Sequence, residues 1–268
     1  MKISETVVIE RGSYGKSEIE LVQWNPTRTS ARSVVATVAV SGPALMPSFE
    51  SGENSGIVPS EALRRHLVDG FDELEPLPVA GLRAAEHLAA QELNLSEVRL
   101  DLEATTWRKY GNHLRPDSYV ESVSIDLARV GNHWKRTRLV HGIARLRVLA
   151  PDGSSFVGFR RDRRTLESDG LDRPVHGIAS ARWPVPHPTM APDPDSVATL
   201  ILDTALTVPT NSLQQLLAAM AARILAESPT VPKVSIAFES HPLAAASSTT
   251  FEMPSRPVGR TSVTVART

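Results

Sequence analysis

Alternation of apolar and polar side chains with period two, which sends successive residues to opposite faces of a sheet, dominates this chain and is broken by a few stretches of helical spacing. Ser17–Trp24 (SEIELVQW) and the β-branched Ser33–Ser41 (SVVATVAVS) predict two strands, joined by the turn-forming NPTRTSAR into an antiparallel hairpin. A Gly/Pro/Ser-rich loop follows, then a helix over Ser60–Asp69, with Ser60 in N-cap position after Pro59. A second helix is expected over Val79–Leu93, where Leu82, Ala85, Leu88, Ala89 and Leu93 share one face that should lie across the hairpin. Val98–Tyr110 and Ser118–Val130 predict strands on either side of the turn-rich GNHLRPD.

The second half runs through a similar order. Trp134–Ala150 and Ser155–Arg161 predict a hairpin around PDG, and Ala179–Val185 a further strand. Helices are expected over Asp195–Ala205 and Asn211–Glu227, the latter capped by Asn211, and strands over Lys233–Glu239 and Thr261–Val265. The order strands, two helices, strands therefore occurs twice. An α+β chain of two domains follows, residues 1–132 and 133–268, meeting near Gly131–Trp134.

Composition narrows the function classes. Lys plus Arg number 29 against 30 Asp plus Glu, a balance that argues against a protein built to hold nucleic acid. Arg160, Arg161, Arg163 and Arg164 then read as a local patch. With no cysteine, disulfides, thiolate metal sites and thiol nucleophiles are excluded, and a reducing cytoplasm is the expected setting. No apolar run approaches the roughly 20 residues that span a bilayer, so no membrane partner is expected. The eight histidines show no helical or strand pairing with carboxylates of the kind metals need, so no metal is expected. A phosphate-cradling glycine loop and a serine nucleophile elbow are likewise missing from the sequence.

One stretch, Gly142–Arg173, offers a different chemistry. Phe156 supplies an apolar face for a flat heterocycle. Arg173 supplies a planar fork of donors for that ring's edge. Alone, the two also fit a core phenylalanine and a solvated arginine.

Further motifs give the pair its context. Tyr14-Gly15-Lys16 stands just before the first expected strand, and Asn54–Glu61 reads NSGIVPSE. Trp107-Arg108 ends a strand and Asp117-Ser118-Tyr119 follows. Phe156-Val157-Gly158-Phe159 precedes Arg161-Asp162, Thr165-Leu166 and Asp172-Arg173, and Ser212-Leu213-Gln214 opens a helix. In this order and spacing they resemble the urate oxidase (uricase) family, with its YGK, NSVIVATDS, His-Ser-Phe, FWGFLRD, TTL and Ser-Val-Gln segments.

That resemblance implies two tandem tunnelling-fold domains, each an antiparallel sheet with two helices on one face, closing with neighbours into a homotetrameric barrel with active sites between subunits. It implies oxidation of urate by dioxygen to 5-hydroxyisourate and hydrogen peroxide, in purine catabolism, with no cofactor. Phe156 would stack on the purine, Arg173 and Gln214 would clamp its edges, and the Leu213 N–H would add a donor. Lys16 and Ser60, from a neighbouring subunit, would move protons, with Glu61, Ser240 and His241 as accessory groups; a desolvated lysine can release its proton near neutral pH. Ser240 and Pro242 replace the family's asparagine and histidine, with His241 one position away, and Arg64-Arg65 replaces its Lys-Asn. Two alternatives therefore stay open: action on another purine, pteridine or related heterocycle, or a purine-binding barrel without catalysis.

Overall fold

The computed structural model describes residues 9–71, 74–91, 94–156, 159–163, 170–241, 243–245, 251–252 and 259–268, without the side chains of 152–156, 170–173, 244–245 and 251–252. The chain divides into two compact units. One takes the residues up to Asp117 with Glu121–His141 and His187–Thr189; the other takes Ser118–Val120, Gly142–Pro186 and Met190–Thr268.

In the first unit, β1 (Ser13–Trp24), β2 (Ser30–Ser41) and β3 (Glu97–Tyr110) are antiparallel neighbours. A short β4 (His113–Pro116) folds back on the end of β3, β5 (Val120–Val130) pairs along its body, and the start of β6 (His133–Phe156) lies next to β5. Alternate residues are buried: Val34, Ala36, Val38 and Val40 on β2, Leu100 and Leu102 on β3, Val123 and Ile125 on β5. Helices α1 (Met46–Glu50), α2 (Ser60–Asp69) and α3 (Leu77–Ala89) complete the unit. Gly81 of α3 sits so close to Leu102 and Ile125 that a Cβ there would lie 2.7 and 3.1 Å from their methyls. This helix therefore covers the apolar face of the sheet.

The second unit repeats the plan. The remainder of β6 is followed by β7 (Gly170–Pro184), β8 (Lys233–Ser240) and, after the two-residue pair β9 (Ala244–Ala245) and β10 (Phe251–Glu252), by β11 (Gly259–Ala266). The pairings β7–β8 and β8–β11 are antiparallel. Helices α4 (Pro194–Thr207) and α5 (Leu213–Glu227) supply the second layer, α5 burying Leu216, Leu217, Met220, Ala221 and Ile224. The α+β architecture expected from the sequence is present.

Several local expectations are corrected. β1 begins at Ser13, not Ser17, so Tyr14, Gly15 and Lys16 lie within the strand. A bulge hides this from the pattern: Lys16 pairs with Val38 but Ile19 with Ala36, and Glu18 has φ +55°. The extra residue shifts the alternation. Lys16 and Ile19 thus face the same side although an odd number of positions separates them. The stretch 42–56, expected as loop, contains α1. The Pro151-Asp152-Gly153 turn does not form, because β6 runs straight through it and turns back only to β7; long-range pairing outweighs the local turn signal. Phe159–Arg161 is not strand, and residues 157 and 158 lie outside the described residues.

Two caps also move. Ser60 is the first residue of α2, whose N-cap position falls on Pro59 with no side-chain cap. At α5 the cap is Ser212, not Asn211: Ser212 Oγ accepts from Gln215 N at 3.1 Å while Gln215 Oε1 accepts from Asn211 N at 2.8 Å. This is a capping box displaced by one residue, with its glutamine at the third helical position. The helix expected to Leu93 ends at Ala89, and Leu93 lies outside the described residues.

Candidate active site

The N-terminal part of the site grows out of the β1 bulge. Gly15 crosses Val38 so closely that a Cβ would stand 1.9 Å from the Val38 carbonyl oxygen, so only glycine fits. One residue on, Lys16 turns toward the helical layer and donates to Glu61 Oε2 at 3.1 Å. The other oxygen, Glu61 Oε1, accepts from Arg64 Nε at 2.8 Å, with Arg65 Nε at 3.6 Å. Arg64 lies three residues on in the same helix, where side chains meet. The hydrogen bond from Arg64, then that from Lys16, holds the Glu61 carboxyl down to about 2.

Tyr14 anchors the segment leading into α2. Its hydroxyl donates to Val58 O at 2.7 Å and accepts from Val58 N at 2.9 Å. Burial raises the phenol above its ordinary value, and the Val58 carbonyl opposes that rise. Ser60 stands exposed at the helix start beside Glu61. Lys16 and Glu61 are thus brought into contact, and Ser60 precedes Glu61 in the chain.

The second unit carries the other predicted residues. Phe156 closes β6 and Arg173 lies near the start of β7; both side chains lie outside the described residues, as do Val157, Gly158, Thr165, Leu166 and Pro242. Leu213 and Gln214 are the first two residues of α5, and Gln214 is exposed. Their backbone N–H groups have no acceptor within the helix, and the N-terminal dipole favours a negative ligand there. Ser240 ends β8, paired with Gly177 and with Gly259. His241 follows it.

Motif reading passed over His176. Its carbonyl accepts from His241 N at 2.9 Å, and its Nδ1 lies 3.2 Å from the His241 carbonyl oxygen. The two rings meet edge to face, 5.6 Å apart at 88°. Nothing in the sequence near His176 announces this, since the pair exists only through the register of β7 on β8. Among the described residues, no group of three or more His, Asp or Glu is placed to hold a metal ion, and no helix is long and apolar enough to cross a membrane.

With this geometry in view, a family model described as Uricase matches residues 139–256. Over this stretch the chain is similar to the uricases. It is 28% identical over 189 residues to the uricase of Arthrobacter globiformis, covering 66% of this chain and 59% of that protein. It is 25% identical over 231 residues to the uric acid degradation bifunctional protein of Bacillus sp. (strain TB-90), covering 76% of this chain and 45% of that protein. The chain therefore spans about half the length of these relatives. The crystal structure of the Arthrobacter globiformis uricase superposes with a TM-score of 0.85 at 20% identity, over 97% of this chain and 95% of that one. A urate oxidase structure from Bacillus sp. TB-90 gives 0.82 at 17% identity, over 96% of this chain and all of that one. The uricase match takes in Phe156, Arg173, Leu213, Gln214, Ser240 and His241.

Proposed function

We propose that this protein oxidises urate with dioxygen and water to 5-hydroxyisourate and hydrogen peroxide, without a cofactor, as a step of purine catabolism in the cytoplasm. The observation that carries the reading is the uricase match over residues 139–256, the part of the chain that holds the proposed platform, fork and amide. Phe156 stacks on the purine. Arg173 and the Gln214 amide grip opposite edges, while the Leu213 N–H adds a donor at the positive end of α5. A guanidinium beside the ring favours the more highly charged purine. That electron-rich anion reduces dioxygen, passing through a hydroperoxide whose peroxide leaves as hydrogen peroxide.

Lys16 and Ser60 move the protons, with Glu61 holding Lys16 in place. In this reading the two units are tandem tunnelling-fold domains, residues 1–132 and 133–268. Copies of the chain close into a homotetramer that brings Lys16 and Ser60 of one subunit to the clamp of another. Among the described residues, β1 and β11 each have a single sheet neighbour, and closure covers such edges.

The replacement of the family's asparagine by Ser240 favours one second reading, oxidation of a different purine or pteridine. Chelator-treated protein should consume dioxygen with urate and release one equivalent of peroxide. Uptake with a pteridine and none with urate would move the chain to the second reading; binding without uptake would leave a purine-binding barrel.

A further inference from the structure

We propose that His176 is a positioning residue for His241. The β7–β8 ladder ends with Gly177 opposite Ser240. The clasp between His176 and His241 carries this ladder one step beyond the end of β8, with the His241 N–H on the His176 carbonyl and the His176 ring on the His241 carbonyl. A carbonyl oxygen only accepts, so His176 Nδ1 must carry the proton. Neutral His176 is therefore fixed as the Nδ1–H tautomer. Its ring also braces that of His241, edge to face.

The neighbouring residue lets this happen. A side chain at Gly177 would place its Cβ 2.1 Å from the Glu239 carbonyl oxygen and 2.7 Å from the Phe238 ring. Glycine there allows the end of β8 to lie close against β7 directly beside the two histidines. His241 Nε2 is shut off from solvent with no hydrogen-bond partner among the described residues. Buried polar atoms in native proteins are normally satisfied, and one that is not calls for an explanation. Here it is a ring nitrogen that no described group engages, in a ring whose orientation His176 holds. Glu239 and Arg260, the charges at this end of β8 and β11, are paired with each other across the two strands.

The catalytic part of this inference rests on the urate-oxidising reading, whereas the geometric part stands without it. Two variants separate them. His176→Asn keeps an N–H near the position of Nδ1, and His176→Leu removes it. Imidazole nitrogen NMR on the unliganded protein should show His176 as the Nδ1–H tautomer, with the His241 signals displaced in His176→Leu and kept in His176→Asn. Steady-state urate oxidation should show kcat lowered about tenfold or more in His176→Leu with KM within about twofold, an altered pH profile, and recovery in His176→Asn. An Nε2–H tautomer at His176, or kcat and pH profile unchanged in His176→Leu, overturns the proposal. Urate binding under nitrogen tells the two failures apart: wild-type protein that does not bind urate refutes the proposed function, while the tautomer and the His241 signals still decide the role of His176.

Discussion

The two units share an architecture but not an interior. Among the described residues, the first buries Arg32, Gln23, Glu121 and His141. Arg32 donates to Gln23 Oε1 at 3.2 and 2.6 Å and to Glu75 O at 2.7 Å, and His141 Nε2 lies 2.8 Å from Glu121 Oε1. Burial pulls the Arg32 guanidinium below its ordinary value, and the charges of Glu121 and Glu75 oppose that pull. Among the described residues, the buried polar ones of the second unit are the neutral Thr204, Thr210 and Ser228, beside the large apolar Trp183 and Phe238. The same sheet-and-helix plan is thus stabilised once with a charged network under the helices and once almost wholly by apolar packing. Fold does not dictate how an interior is satisfied, only that each buried group find a partner.

Replacing one member in each interior breaks this comparison most sharply. Glu121→Ala leaves Arg32 and His141 buried without their carboxylate and should cost about 3–5 kcal/mol. Phe238→Ala, in a fully buried position, should cost a similar ~3–5 kcal/mol through lost packing and the cavity left behind. Urea titrations distinguish them through a second step: apolar replacement of Arg32 and His141 on the Glu121→Ala background should restore stability, as for other buried charged groups replaced together. Failure of that rescue would mean that the network is held by packing rather than charge.

A smaller effect is expected at the start of α5. Ser212→Ala should cost about 1 kcal/mol, whereas Ser212→Asp, which keeps an oxygen acceptor for Gln215 N, should retain most of the stability. Equal losses in the two variants by thermal unfolding would reassign the cap.

The smallest effect is confined to acid. Glu61 is held at about 2 in the folded chain against an ordinary 4.5, so its contribution to stability is present above about 4.5 and fades as the pH falls through about 2. Because the group is solvent-facing, the measurement is its carboxyl titration by NMR. Arg64→Gln should move that midpoint upward toward 4.5, and an unmoved midpoint would assign the effect to Lys16 and Arg65 instead.

Much of this was legible in the sequence where the information is local. The β-branched alternation of Ser33–Ser41 and the apolar stripe of Asn211–Glu227 each correspond to an observed element. The motifs pair Lys16 with Ser60, whereas the observed partner of Lys16 is the next residue, Glu61. What escaped depends on partners far along the chain. Pro151-Asp152-Gly153 carries a strong turn signal and is nonetheless drawn into β6. His176 has no local mark, because it matters only through a residue 65 positions later. The bulge at Glu18 broke the alternation and so hid the first turn of β1.

That bulge has a further meaning. Tyr14 and Lys16 occupy even positions, Ile19, Leu21 and Gln23 odd ones, yet all are paired with Val40, Val38, Ala36, Val34 and Arg32, which share one face of β2. The strand is written in two frames, joined by a single inserted residue. Its length is therefore a chemical specification: loss of one residue between Lys16 and Ile19 would keep every side chain of the YGK segment and present its lysine to the wrong side of the sheet, away from Glu61. For this chain, an insertion or deletion in β1 would break the Lys16–Glu61 contact without changing any residue that makes it.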